Sequence, residues 1–468
     1  MKTLILLSLL FYRNELIPLR KGWDFILEDY LFTSGRNNNY SLIFPLKFEH
    51  APHNPFINIS AYARGYYRFG DTYFDLKQNG ATGSNSLFKS SYGYNLYGEL
   101  KLKAGLQINN ITFIDDISLF NKHEEESLSY RSPFYDPRYR LHSFDKQPVI
   151  GEENYFDVRF NRGFILYEHP SGISILTGRE YLSWGYDLLF SGYTTPMDFI
   201  YRIRLKKGKL KAETFNAFLN DTFPGKRISG QTVELSILPG LVVSLEEAVI
   251  YTSSDNFKYF NPLGLYYEIQ RRGKNNSDNL LGSINISWRV IRGVKLGFQF
   301  LDDDFIIGKG GTSKFGIHGD FTLVPWQNKN IMMHFTYTAI PRWTYTHVSD
   351  TNSASFLGAP LGYPRGNDLK DMSFSVYFLT PNTIKYISVN YLAHGEGTLE
   401  EHWEGSGYPR NMPYPTGNPT KTLLITLGQK QKHHELSIFT EYEKRDDSEN
   451  LNIGFLFLAK YSFLTIEF

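Results

Sequence analysis

The feature that most constrains this chain is a strict two-residue alternation, cleanest between Ser283 and Phe305. Ile284, Ile286, Trp288 and Val290 share one parity, while Asn285, Ser287 and Arg289 hold the other. Extended backbone points successive side chains to opposite faces, so this period belongs to a strand. Arg292-Gly293 turns the chain, and Val294, Leu296, Phe298 and Phe300 then resume the apolar parity opposite Lys295, Gly297 and Gln299. The hairpin has one greasy wall and one polar wall. It runs into Asp302-Asp303-Asp304, carboxylates that cannot sit against hydrocarbon and therefore mark an exit into solvating water. Repeated and closed on itself, such a hairpin makes an all-β fold, a transmembrane antiparallel β-barrel.

The same alternation recurs along the chain. It runs over Tyr40–Glu49, over Ile57–Phe69 and, at greatest length, over Tyr92–Ile108. Strand signals return at 155 to 168 and 172 to 182. Regular hairpins follow: 198 to 206 with 209 to 219, 231 to 238 with 241 to 251, 314 to 324 with 331 to 340, 371 to 379 with 384 to 393, and 421 to 428 with 434 to 443. The count is roughly 16 to 20, and the even-number rule for such barrels selects 18 with 16 as the alternative. Connections alternate too. Lys207-Gly208, Pro239-Gly240, Arg292-Gly293 and Pro381-Asn382 are short, whereas 252 to 280, 302 to 313, 341 to 370 and 394 to 420 are long and polar. Outer-membrane barrels have short periplasmic turns and long outer loops, so the long loops are expected to face the cell exterior. The segment 128 to 148, interrupted by Pro133, Pro137 and Pro148, reads as a long loop or inward fold.

Composition agrees with a membrane barrel. Aromatic residues reach 16%, with 33 Tyr and 37 Phe, while mean hydropathy stays negative at −0.34; interfacial aromatic girdles around a wet lumen produce that profile. The absence of cysteine excludes disulfides, thiolate metal sites and cysteine nucleophiles. A net charge of +1 supplies no global field for nucleic acid. Met1-Lys2 and the apolar run Leu4 to Phe11 resemble a secretory signal. Residues 1–22 are read as an export segment whose cleavage site is unclear, and 23–468 as one barrel. The last strand carries Leu464, Ile466 and Phe468 on one face, an ending that resembles the insertion signal of outer-membrane barrels.

Gly178-Arg179-Glu180 to Trp184-Gly185, then Leu188-Leu189-Phe190-Ser191, resembles the capsule-assembly Wzi family. Glu246-Glu247, Tyr259, Asn261-Pro262, Asp278-Asn279, Leu301 to Phe305, Trp343 to His347, Leu361-Gly362 and Gly366-Asn367-Asp368 continue the resemblance in the family's order. It implies an outer-membrane barrel, 18-stranded in the family, that holds capsular or related surface polysaccharide and helps assemble the coat as a lectin rather than an enzyme. The family's periplasmic helical bundle has no counterpart in 1 to 39.

A polysaccharide site needs flat aromatic faces for sugar rings, and forked donors or carboxylates for hydroxyls. Two long loops hold both. The expected contacts are Trp343, Tyr345, Tyr363 and Arg365 in one, and Glu401, Trp403, Glu404, Tyr408 and Arg410 in the other; His347, Glu396, Glu400 and Tyr414 lie beside them. The competing reading makes the rings part of the interfacial belt and the charges solvated tips. Inward rows of Arg202, Arg204, Lys206, Lys101, Lys103, Arg289 and Lys295 offer two readings, conduction or binding of an acidic glycan through the lumen and, favoured, cross-strand pairing with Glu99, Glu213 and Glu234. No catalytic, metal or cofactor constellation is found: His394, His402, His433 and His434 are scattered, Gly405-Ser406-Gly407 is not a nucleophile elbow, and Gly308 to Lys314 lacks phosphate-loop spacing. The leading reading is a non-catalytic polysaccharide-binding barrel, monomeric because closure leaves no sheet edge, with outer-membrane lipid as its other partner. A diffusion channel and, behind it, an outer-membrane hydrolase are the rivals.

Overall fold

The computed structural model describes residues 56–69, 92–124, 156–191, 197–219, 225–252, 256–261, 264–272, 278–303, 314–325, 330–347, 350–356, 359–380, 383–399, 401, 413–431, 434–445 and 448–467. The export segment expected at 1–22, the strand expected at Tyr40–Glu49 and the segment 128 to 148 lie outside them. The first strands are β1 (Phe56–Phe69), β2 (Tyr92–Ile108), β3 (Ile111–Glu124), β4 (Phe156–Glu168), β5 (Ile173–Glu180), β6 (Met197–Lys207) and β7 (Leu210–Phe218). There follow β8 (Arg227–Leu238), β9 (Leu241–Tyr251), β10 (Asn279–Ile291), β11 (Val294–Asp303), β12 (Phe315–Leu323) and β13 (Ile331–Ile340). A two-residue hairpin, β14 (Ser355–Phe356) with β15 (Ala359–Pro360), stands apart from the wall. The wall resumes with β16 (Leu369–Leu379), β17 (Thr383–His394), β18 (Thr420–Gln431), β19 (His434–Arg445) and β20 (Ser448–Glu467).

Every wall strand pairs antiparallel with its chain neighbours, and β1 pairs with both β2 and β20, which closes an 18-stranded barrel. Closure leaves the wall without an unpaired edge, the condition for crossing hydrocarbon with strands. The hairpin read from Ser283 to Phe305 is β10–β11, with Ile284 opposite Phe300 and Ser287 opposite Gly297. No helix among the described residues is long and apolar enough to cross a membrane.

The two parities separate as the alternation requires. Leu235, Leu245, Ile284, Leu296, Phe298, Phe321, Phe374, Ile425 and Ile438 are exposed on the outside of the wall. Leu245 is 57% exposed and Phe298 43%, and a continuous band at that exposure is stable only against lipid. The other parity points inward and is polar: Glu213, Glu234, Ser244, Asn285, Lys295, Gln299, Asp320 and Thr322 are all buried. Burial of a lumen wall means that something fills the lumen.

One strand escaped the sequence reading. β3 places Ile114 inward and Asp115 outward, and its pairing with β4 shifts register between Asp116 and Ile117. Both faces are mixed there, so the period is obscured.

Candidate functional site: the long-loop rim and the filled lumen

β5 ends at Glu180, and the chain turns into the barrel. Arg162 Nε holds Glu180 Oε1 at 2.8 Å, that same oxygen accepts the N–H of Tyr181 at 2.6 Å, and Arg202 donates to the Tyr181 carbonyl at 3.1 Å. The insert then folds back on itself, Trp184 bridging to Phe190. Its apolar side chains Leu182, Trp184, Leu188, Leu189 and Phe190 pack with Phe199, Phe215, Ile228, Ile250 and Leu301 of the wall. Its polar backbone is met by polar wall residues. Gln299 Oε1 accepts the N–H groups of Tyr186 at 2.7 Å and Leu188 at 3.1 Å, while Trp184 Nε1 donates to Glu213 Oε1 at 3.0 Å. The approach is close enough to demand glycine: at Gly185, φ 59°, a Cβ would lie 1.9 Å from Asn285 Oδ1.

Of the basic rows expected to face inward, Arg202 and Arg204 pair with Glu213 as read, Lys101 and Lys295 pair with other carboxylates, and Lys206 is exposed. Arg202 and Arg204 both hold Glu213 Oε2, at 3.1 and 2.5 Å, and Lys211 holds Glu234 at 2.6 Å. Lys101 reaches Asp116 at 3.0 Å, and Lys295 reaches Asp320 at 2.9 Å while His334 meets the other oxygen of that carboxylate. Tyr186 of the insert stacks on His318, ring centroids 5.3 Å apart.

A second segment, 341 to 347 with 350 to 356 and 359 to 368, folds over the first. Tyr345, in the left-handed region at φ 71°, is its hub. Its N–H donates to Asp303 Oδ2 at 2.6 Å, its hydroxyl donates to the Leu188 carbonyl at 2.6 Å, and that hydroxyl accepts the N–H of Tyr363 at 3.1 Å. Lys226 Nζ donates to the Ser355 carbonyl at 2.7 Å and Lys314 Nζ to the Thr346 carbonyl at 3.0 Å. Burial pushes the Tyr345 phenol well up, and burial beside Asp371 does the same to Tyr363.

These contacts revise two expectations. Asp303 is not a solvated strand exit: it is fully buried and holds the Tyr345 backbone. Trp343, Tyr345, Tyr363 and His347, expected on an outward loop, are 1%, 0%, 6% and 7% exposed, because the loop carrying them is drawn into the lumen and its rings are covered on both faces.

Of the charged neighbours of those rings, Arg365 turns down toward the wall: it donates to the inward-facing Asp371 Oδ2 at 2.5 Å and Asn390 Oδ1 at 3.1 Å, with 19% of its side chain exposed. Glu401, 38% exposed, receives Arg342 at 2.7 Å. Arg342 also donates to Thr416 Oγ1 at 2.9 Å, and Asp368 accepts the N–H groups of Gly397 at 2.8 Å and Thr416 at 2.9 Å. These bonds staple 395 to 399 and 413 to 418 onto the loop below. Half-buried Tyr414 lies beside them with Lys370 Nζ 5.4 Å from its ring, and burial raises its phenol. Sequence reasoning passed over Arg342, Lys370 and Thr416, which organise this rim with Asp368, a residue it had noted only as part of the family resemblance. Trp403, Glu404, Tyr408 and Arg410 lie outside the described residues. Among the described residues no cluster of three His, Asp or Glu side chains could hold a metal ion.

A solved outer-membrane β-barrel is similar in fold. The Escherichia coli outer-membrane protein Wzi, involved in group 1 capsule assembly and described as a carbohydrate-binding β-barrel, aligns over 88% of this chain and 86% of its own, with TM-score 0.52 and 13% identity. The chain has the fold of the Wzi barrel. Two Pseudomonas aeruginosa barrels also align: OpdK with vanillate at TM-score 0.48, 10% identity and coverage of 87% and 99%, and OccK5 at 0.49, 9%, 89% and 99%. No family model and no curated protein matches the sequence. The residues that carry the resemblance to the Wzi family fall at junctions of the fold. Trp184 and Gly185 seat the insert, Asp303 and Tyr345 join the two inward segments, and Asp368 staples the rim.

Proposed function

We propose that this outer-membrane barrel binds surface polysaccharide without catalysis and helps anchor or assemble a capsule, with its long-loop rim facing the cell exterior. The observation that carries this reading is the filled lumen. Two segments cross it, their backbones are bonded to wall side chains, and the wall's charges are spent on one another, an arrangement suited to displaying a rigid rim rather than to passing solutes. On that rim Glu401 and Tyr414 set a carboxylate and a partly open ring in one stapled surface, above Arg365, which is bonded to the wall; sugar hydroxyls and ring faces need such chemistry. Trp403, Glu404, Tyr408 and Arg410 extend the same loop and complete the proposed contact set. Trp343, Tyr345 and Tyr363 support the site from beneath by holding the loop in place. The fold shared with a carbohydrate-binding barrel favours the reading without identifying the sugar.

The test pairs two measurements on one refolded preparation: binding of polysaccharide from the protein's own source, and conductance in planar bilayers. Saturable binding that weakens in Arg365→Ala, Glu401→Ala and Trp403→Ala, with little conductance, is the expected result. Steady conductance without binding would make the protein a channel.

A further inference from the structure

The loop between β9 and β10 does not follow its neighbours into the lumen. It folds the other way, onto the outside of the wall. Tyr259 and Tyr266 are buried against Val249, Tyr251 and Leu280, wall residues of the same outward parity as lipid-facing Leu245 and Ile284. The helix α1 (Tyr266–Arg272) starts on Glu247, whose carboxylate accepts the N–H groups of Tyr266 at 3.0 Å and Tyr267 at 2.6 Å. Gln231 donates to that carboxylate at 2.6 Å and to the Gly264 carbonyl at 3.0 Å.

The register fixes the height of this patch. Gln231 pairs with Glu247, and the next outward pair toward the short turns is Val233 with Leu245, 48% and 57% exposed. Gly264 to Tyr266 therefore stands about 7 Å along the strand from the edge of the lipid-facing band. Leu265, between them, is 64% exposed, the most of any large apolar side chain among the described residues. Farther up the same wall, the Arg227 guanidinium lies 4.5 Å from the Phe218 ring and 6.0 Å from that of Phe260. Its Nε is buried with no hydrogen-bond partner, and among the described residues no carboxylate pairs with it. Arg227 is six residues beyond Val233, about 20 Å along the strand and about 15 Å in height once a ~40° tilt is allowed.

We propose that this outer-wall loop is a collar resting on the outer leaflet. Leu265 sits at the boundary between acyl chains and headgroups, and Arg227 receives a phosphate or carboxylate of a tall anionic glycolipid headgroup. The apolar part stands one outward pair, Gln231 with Glu247, above the lipid-facing band, and interfacial binding grows with buried apolar area and with attraction to anionic lipid. The height of Arg227 selects the headgroup, since the phosphate of an ordinary phospholipid lies far below it. A guanidinium held between two rings is pre-oriented for a forked anion. The proposal rests on the long-loop rim facing outward, and not on polysaccharide binding.

The chain has no cysteine, so Leu265→Cys accepts a single environment-sensitive nitrobenzoxadiazole label. Lys209→Cys, at an exposed short turn of the opposite rim, provides the reference. In lipopolysaccharide nanodiscs, emission at 265 should shift to the blue and resist iodide quenching relative to 209. Arg227→Gln should lose retained lipopolysaccharide several-fold on detergent exchange, with Arg227→Lys in between and phosphatidylcholine retention unchanged. A label at 265 as open to iodide as that at 209, or equal lipopolysaccharide retention by Arg227→Gln, would overturn the proposal. Impermeant maleimide on intact cells should label Asn418→Cys and not Lys209→Cys; the reverse would overturn the orientation and the collar together. The lipopolysaccharide used is a rough form without O-polysaccharide and no capsular polysaccharide is added, so failure of the proposed function leaves this result standing.

Discussion

Trp184 tests whether the insert is as firmly seated as its contacts imply. Its indole is fully buried, lies edge-on to Phe190 at 5.0 Å and Phe215 at 5.4 Å, and donates to Glu213 at 3.0 Å. Truncation to alanine leaves a cavity among rigid wall side chains, at a cost of about 3–5 kcal/mol. Trp184→Phe keeps most of the contact surface and removes the donor; Glu213 retains Arg202 and Arg204, so the loss should be about 1–2 kcal/mol. Amide exchange of Tyr186 and Leu188 reports the opening, because both amides are held by Gln299 in the seated state. At ~1.4 kcal/mol per factor of ten, Trp184→Ala should speed their exchange by on the order of a hundred- to several-thousand-fold, and Trp184→Phe by roughly five- to thirty-fold. Amides that exchange fast in the parent and do not respond to Trp184→Ala would refute a packed insert.

Tyr345→Phe removes one hydroxyl that both donates to Leu188 and accepts from Tyr363. It should lower stability to urea by about 1–3 kcal/mol, because two buried backbone groups lose their partner. Lys295→Met strands the buried Asp320 carboxylate beside His334 and should cost about 3–5 kcal/mol. The double variant Lys295→Met/Asp320→Leu should recover much of that in the same urea titration, and strict additivity would sink the idea of a coupled pair. Burial raises the phenols of Tyr259, Tyr345 and Tyr363. A raised group keeps its contribution in full below its unfolded value of ~10 and loses it as pH climbs from there toward the folded value. Loop docking should therefore be flat through neutral pH and weaken above about pH 10, with delayed phenolate absorbance; ionisation of every tyrosine near pH 10 in a still-docked protein would contradict this. Asp368→Ala removes the acceptor that staples Gly397 and Thr416, so limited proteolysis should cut faster between Gly395 and Asn418, with barrel heat-modifiability unchanged.

The wall was legible because lipid imposes a rule that a chain must obey at every second residue. Where that rule held on one face, as from Ile284 to Phe300, strands and turns could be read nearly to their ends. It failed at Asp115 and Ile114, where a polar residue faces out and an apolar one faces in. The rim was harder, since a ring in a long polar loop reads the same whether the loop stands in water or turns inward. Trp343 and Tyr345 were read as open faces for that reason, and they are buried. A signal was nonetheless present in Leu182, Trp184, Leu188, Leu189 and Phe190, too many large apolar groups for a solvated connection. Facing them, Gly230, Ser283 and Gly297 offer a wall with room for a second layer: a Cβ at Gly297 would lie 2.3 Å from the Tyr186 hydroxyl.

The lumen is not filled evenly, and this bears on the choice between display and passage. Inward groups on β7 to β11, such as Glu213, Glu234, Asn285, Lys295 and Gln299, lie under the insert and have no access to water. On β16 to β19 the inward groups Tyr377, Tyr386, Ser388, Lys430 and Glu435 are half-buried. Tyr386 donates to Glu435 at 3.0 Å, and Lys430 stands 4.0 Å from the same carboxylate. That side is wetter near the short turns. Toward the long loops it closes again, since Leu392, His394 and Thr422 are buried beneath the stapled rim. Among the described residues this side is open near the short turns and closed by bonded loops toward the long ones, the form of a vestibule, and a vestibule conducts only when the loops release. Conductance should therefore appear in variants that loosen the insert or the staple before it appears in the parent protein, and each opening would measure how firmly the proposed binding rim is held.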